Sequence, residues 1–206
     1  MPLCDQATSR ADLRAKIVAM LKATIPASNL SSDDPRFVAM TGFTSTTLRN
    51  DWKNRGPNEP GLTSCNSFAG WVAQQIGFKA GTTMFAGKMD LSNVENEVAG
   101  SWVWANTGEA IEAKLCPQPG DFFCQSRPGQ MFAHVGIVVE IDANTTWRWL
   151  AGGQGGKATS PKDINQAVDY IKWGPWLPTH PRSFNQARPN VAGWVDVGAY
   201  FFPDEE

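Results

Sequence analysis

The run His134-Val135-Gly136-Ile137-Val138-Val139-Glu140-Ile141 constrains the fold more than any other part of this chain. Its β-branched residues lose rotamer freedom in a helix and pack well on a pleated surface, so the run predicts a strand over 134–141. A strand this apolar has to be paired and covered. The pattern offers Asp121–Cys124 after the turn Pro119-Gly120, and Thr145–Ala151 after Asp142-Ala143-Asn144. Gly193–Phe202 reads as a closing strand.

The first half of the chain has a different period. Leu13, Ile17, Met20 and Leu21 fall on one face of a helix over Arg10–Thr24, which Pro26 ends. Shorter helices are predicted over Ser45–Lys53 and Asn66–Gln75, the latter with Thr63 or Ser64 as N-cap and Gly77 as C-cap. Trp104–Leu115 and Pro161–Ile171 also read as helices, and Asn54–Thr63 as a loop. Helices first and strands after predict an α+β domain, with helices packed on a small antiparallel sheet. No repeat or linker divides the 206 residues. They read as one domain, with a helical extension over 1–60, a core over 63–154, and a C-terminal extension with the closing strand over 155–206.

Charge excludes some function classes. The formal net charge is −2 and only 18% of residues are charged, which gives no electrostatic reason to expect nucleic acid or an anionic membrane surface as partner. No stretch approaches the ~20 apolar residues of a membrane helix, so no membrane insertion is expected. Met1–Lys22 carries Asp5, Arg10, Asp12, Arg14 and Lys16 and lacks the apolar stretch of a signal peptide. Synthesis in a bacterial cytoplasm is therefore expected, with any export by dedicated machinery. No cofactor or metal is expected: two histidines are too few for a metal cluster, and the cysteines lack paired ligand spacing. The glycine-rich stretch 152–156 lacks the Lys-Ser/Thr of a phosphate loop.

Two residues stand out chemically. Cys65 opens a helix, where unpaired N–H groups and the helix dipole favour a thiolate. It also shares a helical face with Phe68, Ala69, Val72 and Ile76, as an ordinary buried cysteine would. His134 opens an apolar strand, sharing a face with Gly136, which would leave room for a helix end to approach. His180 lies in a Pro-flanked loop with no strand to aim it. A hairpin with a three-residue loop would pair Ile141 with Thr145 and His134 with Gly152, which makes Gln154 the first side chain able to orient the imidazole. Cys116 and Cys124 are close enough in sequence to pair, but reduced thiols are the expectation. Most of the tryptophans, Trp102, Trp104, Trp147, Trp149, Trp173 and Trp176 among them, are expected in the core rather than in a substrate groove.

Taken in order, Thr63-Ser64-Cys65-Asn66-Ser67-Phe68, Pro117-Gln118-Pro119-Gly120-Asp121-Phe122-Phe123 and Ala133-His134-Val135-Gly136-Ile137-Val138 resemble the NlpC-type and CHAP-type cell-wall peptidases and amidases. Trp149–Gln154 is similar to the strand that supplies the third polar residue there, where Asn, Asp, Glu or His is usual and Gln departs from the pattern. The resemblance implies a papain-like fold and cleavage of amide bonds in peptidoglycan peptides, with Cys65 as nucleophile, His134 as base and Gln154 as orienting residue. The Cys65 backbone N–H is the expected oxyanion donor. A lone domain of this kind resembles the antibacterial amidase effectors of type VI secretion, which would imply an immunity protein as partner; a holin-released phage lysin fits nearly as well. Alternatives are a deamidase or transglutaminase toxin acting on a host protein, and an inactive binding module of the same fold.

Overall fold

In the computed structural model, the described residues are 1–54, 64–79, 90–153, 168–174 and 183–205. Among the described residues the protein is a mixed α+β fold with seven strands in one antiparallel sheet. In chain order its main elements are α1 (Arg10–Thr24), β1 (Leu30–Ser31), α2 (Pro35–Thr41), α3 (Ser45–Asn54), α4 (Cys65–Ile76) and β2 (Trp102–Trp104). There follow α5 (Gly108–Glu112), β3 (Phe122–Arg127), β4 (Gln130–Ile141), β5 (Trp147–Ala151), β6 (Tyr170–Trp173), α6 (Phe184–Ala187), β7 (Val191–Val195) and α7 (Val197–Phe201). The sheet order is β1-β6-β5-β4-β3-β7-β2. Because β1 pairs with β6, with Leu30 opposite Ile171, the first sixty residues contribute to the sheet itself.

The sheet is buried on both faces, and alternation along β4 shows how. Val135, Ile137 and Val139 join Leu13, Ile17 and Leu21 of α1 and Phe68, Val72 and Ile76 of α4 in one apolar cluster. Val138 belongs to a second cluster, with Phe123, Trp147, Trp149, Phe184, Val191 and Trp194. Trp102, Trp147 and Trp149 are thus core residues as expected, whereas Trp104 is exposed.

The helix over Arg10–Thr24 has the bounds the sequence suggests, and the Ser9 side chain caps it by accepting from the Asp12 N–H. Other elements differ from expectation. Trp104–Leu115 is not one helix: Trp102–Trp104 pairs with β7, and only Gly108–Glu112 is helical, capped by Thr107. Ile111 and Leu115 are exposed, so no continuous apolar face exists to hold a longer helix. The closing strand spans Val191–Val195 rather than Gly193–Phe202, because Asp196 caps a new helix, α7, by accepting from the Ala199 N–H. Of the helix expected over Pro161–Ile171, 161–167 lies outside the described residues; Tyr170 and Ile171 are in a strand. The β4–β5 hairpin pairs Ile141 with Trp147, not Thr145. Its loop is longer because the Asp142 Oδ1 accepts from the N–H groups of Asn144 and Thr146, a side-chain-made turn.

The Pro119-Gly120 turn is built as the sequence implies, with Gly120 at φ +98° and the Gly120 N–H bonded to the Val138 carbonyl. Asp121, at its end, is buried and does structural work. Its carboxylate accepts from the Gln118 N–H at 2.7 Å and the Val197 N–H at 3.0 Å, and pairs with Arg14, which also reaches Asp196. This one side chain joins α1, β3 and α7.

Burial pushes the Asp121 carboxyl up to about 7, against the opposing pull of Arg14. Between about pH 4 and 7 the folded state therefore holds a proton that the unfolded chain, with an ordinary carboxylate, has released, and above that range the carboxylate is the ionised partner of Arg14. Stability from this group is greatest below about pH 4 and is lost as pH rises through about 7. Chemical denaturation of wild type and Asp121→Asn across about pH 4–8 is expected to show wild type losing stability relative to the variant as pH rises. Parallel profiles would place the ionised form in the folded protein.

Candidate active site

Cys65 is the first residue of α4, and Phe68, Ala69, Val72 and Ile76 of its face are buried with it, as is Ala73. Cys65 itself is 1% exposed. It belongs to the cluster on the helix-covered face of the sheet and lies close enough to Cys124 to affect it: burial first, then Asp90 and Cys65, raise the Cys124 thiol well above its ordinary range. The four cysteines form no disulfide.

His134 pairs with Gln125 of β3. It is 4% exposed, and burial, with the Arg127 cation adding, pushes its imidazole down to about 4. The ring is neutral at physiological pH, the form that accepts a proton. Its neighbours differ from those expected. A Cβ on Gly136 would lie 2.7 Å from the Phe123 ring, so that glycine admits an aromatic side chain and not a helix end. The β4–β5 ladder runs from Ile141 opposite Trp147 to Ile137 opposite Leu150, where the register is offset by one residue from the expected one.

By regular alternation His134 shares the Gly136 face, whereas its neighbour Val135 is in the cluster of Cys65. The regularity stops at His134. Between Gln125–His134 and Arg127–Gln130, four steps along β4 answer two along β3, so β4 bulges. Phe132, of the same parity as His134, packs against the helix-face cluster and meets the Trp102 ring at 6.2 Å. His134 thus sits at the seam where the strand exchanges faces.

The glycine at the helix end is Gly152. A Cβ there would come within 2.7 Å of the Ser64 carbonyl oxygen and hydroxyl. The Gly153 N–H donates to the Ser64 hydroxyl at 2.7 Å, and that hydroxyl donates to Asp169 at 2.7 Å. Asp169 is buried and also accepts from the Ser64 N–H, at 3.3 Å. Sequence reasoning missed Asp169 because it placed this acid in a helix; it immediately precedes β6. Gln154 and His180 lie outside the described residues.

Among the described residues, no group of three or more His, Cys, Asp or Glu is placed to hold a metal, and no helix is long and apolar enough to cross a membrane. Compared with protein-family models, curated proteins and solved structures, the chain matches none.

Gly152→Ala is expected to force the end of β5 away from α4. A loss of about 1–3 kcal/mol in unfolding free energy is expected, the usual cost of overpacking. An unchanged denaturation midpoint would mean that the approach of Ser64 to Gly152 is looser than 2.7 Å contacts imply.

Proposed function

We propose that the protein is a papain-like, NlpC/CHAP-type cysteine amidase that hydrolyses amide bonds in peptidoglycan peptides, with Cys65 as nucleophile and His134 as base. The observation that carries this reading is a thiol at the start of a twelve-residue helix, beside a strand that bears a buried, neutral imidazole at a bulge. The motifs around Cys65, Asp121 and His134 supply the substrate class by resemblance.

In this mechanism the neutral His134 takes the Cys65 proton, and the thiolate attacks the amide carbonyl. The Cys65 N–H, which belongs to the first turn of α4, donates to the oxyanion. His134 then protonates the departing amine, and a water molecule hydrolyses the thioester. For the transfer, the imidazole has to face the start of α4, and the bulge preceding His134 is where β4 departs from regular alternation. Gln154 is the proposed orienting residue; its amide accepts the imidazole N–H without titrating. The proposed setting is an antibacterial effector or phage lysin acting in the periplasm or wall, with an immunity protein as a possible partner in the effector case.

Muropeptides incubated with purified protein and read by mass spectrometry test the reading. Cleavage is expected, and Cys65→Ala and His134→Ala are each expected to lose several orders of magnitude in rate while remaining folded. Expression with a periplasmic signal is expected to lyse a Gram-negative host, and cytosolic expression to leave it unharmed. Toxicity confined to the cytosol, with muropeptides intact, would replace this reading with a host-protein deamidase.

A pH profile follows from His134. The base works only when neutral, so kcat/KM is expected to rise through about pH 4 and to be full by about pH 6. An acid limb at the ordinary histidine pKa of about 6.5 would show that His134 is solvated in the working enzyme.

A further inference from the structure

Three aromatic side chains meet on the helix-covered side of the sheet, at its β2 edge. The rings of Trp102 and Trp104 lie 5.5 Å apart at 83°, and Phe132 stands 6.2 Å from each. Trp102 is buried and Phe132 half-buried, whereas Trp104 is 42% exposed, and so is Met131, next to Phe132, at 58%. Single exposed apolar residues are ordinary, but an exposed tryptophan backed by two further rings has the composition of a binding surface.

The cluster extends toward the thiol. Residue pairing runs Trp104–Gly193–Cys124–Val135 straight across β2, β7, β3 and β4. Gly193 leaves that row without a side chain, and the Trp102 ring takes the space: a Cβ there would lie 2.5 Å from it. Trp104, the Trp102 ring and Cys124 thus form a continuous floor that spans two strand spacings, about 10 Å. Cys124 shares its apolar cluster with Cys65. Phe132, which meets both tryptophans, is two residues from His134.

Charge narrows what can rest there. Among the described residues, the cations that stack on aromatic rings are Arg148, Lys172 and Arg188, over Trp173, Tyr170 and Phe184. Glu95 accepts from the backbone N–H groups of Gly100 and Trp102, which puts a carboxylate behind the rings. A neutral occupant is favoured over the carboxylate-bearing peptide of the proposed substrate. The Trp102 indole N–H is buried with no hydrogen-bond partner. An occupant with hydroxyl and acetamido oxygens brings acceptors that a hydrocarbon lacks. A pyranose ring combines these properties, an apolar C–H face and a polar rim.

We infer that Trp104 and Phe132, with Trp102, form a subsite for an N-acetylated sugar ring of the glycan strand, holding the substrate by its saccharide while the attached peptide reaches Cys65. The inference deepens the amidase reading and rests on peptidoglycan being the substrate.

Calorimetric titration of the full chain with the tetrasaccharide of N-acetylglucosamine tests the subsite without any cleavage. Wild type is expected to bind it, and Trp104→Ala to bind it about tenfold more weakly, the scale of one lost ring-stacking contact. Trp104→Leu, which keeps apolar bulk without the flat ring, is expected to lose as much, and Trp104→Phe to stay within about threefold of wild type. The exposed position of Trp104 on an edge strand leaves these variants folded. With glycan-bearing muropeptides, Trp104→Ala is expected to raise KM about tenfold at unchanged kcat, and to cleave the sugar-free stem peptide as wild type does. Absence of tetrasaccharide binding by wild type overturns the inference, and so does equal affinity in wild type and Trp104→Ala. Binding of the sugar-free peptide that is lost in Trp104→Ala overturns it as well, because the floor then belongs to the peptide. A protein that binds the tetrasaccharide through Trp104 yet cleaves no muropeptide keeps the subsite and loses the amidase reading.

Discussion

The structure depends on covering both faces of the β3–β4 ladder. Phe122 and Cys124 point to one face and Phe123 to the other, with Val135 and Ile137 opposite Val138 across β4. A strand pair apolar on both sides cannot be left with one face in water. The helices α1 and α4 cover one side; on the other, Phe184 of α6 packs with Trp147 and Trp149 of β5 and Trp194 of β7. The covering layers come from both ends of the chain, which explains why residues before 60 and after 180 belong to the same core as the central strands.

Layers that far apart in sequence are joined by buried polar groups rather than by apolar contact alone. Asp121 ties α1 to α7 through Arg14 and the Val197 N–H. Asp169 ties Ser32, just after β1, and through it Ser45 of α3, to the start of α4. Buried carboxylates are costly unless each lone pair finds a donor, so each of these fixes several donors in space. Apolar packing brings the layers together without specifying direction. The two aspartates specify it.

What the sequence reveals follows from this division. The helix over Arg10–Thr24 is carried by local periodicity and was legible in full; the strand over His134–Ile141 was legible as the later part of β4, which begins at Gln130. The start of α4 at Cys65 was legible for the same reason. Trp102–Trp104 was not: its strand character comes from pairing with β7, ninety residues away, and no local period records it. Asp196 stops β7 by capping α7, and a single capping residue inside an apolar run is easily read through. The hairpin register was misread because Asp142 lengthens the loop through its own side chain. Cys65 and His134 are candidates that their sequence surroundings suggest, whereas the bond between Asp169 and the Ser64 hydroxyl forms only on folding and leaves no local signal.

Ser64 shows most clearly how the candidate site departs from the rest of the molecule. An effective N-cap is worth about 1 kcal/mol, and a serine in this position is the residue that ordinarily provides it. Elsewhere the chain takes that stabilisation wherever a capping residue precedes a helix, as at Ser9, Thr107 and Asp196. At α4 it forgoes the cap and uses a buried aspartate to enforce the exception. Local rules that are kept throughout a chain and broken at one helix end mark that end as serving something other than stability. The helix that lacks its serine cap is the one that begins with Cys65.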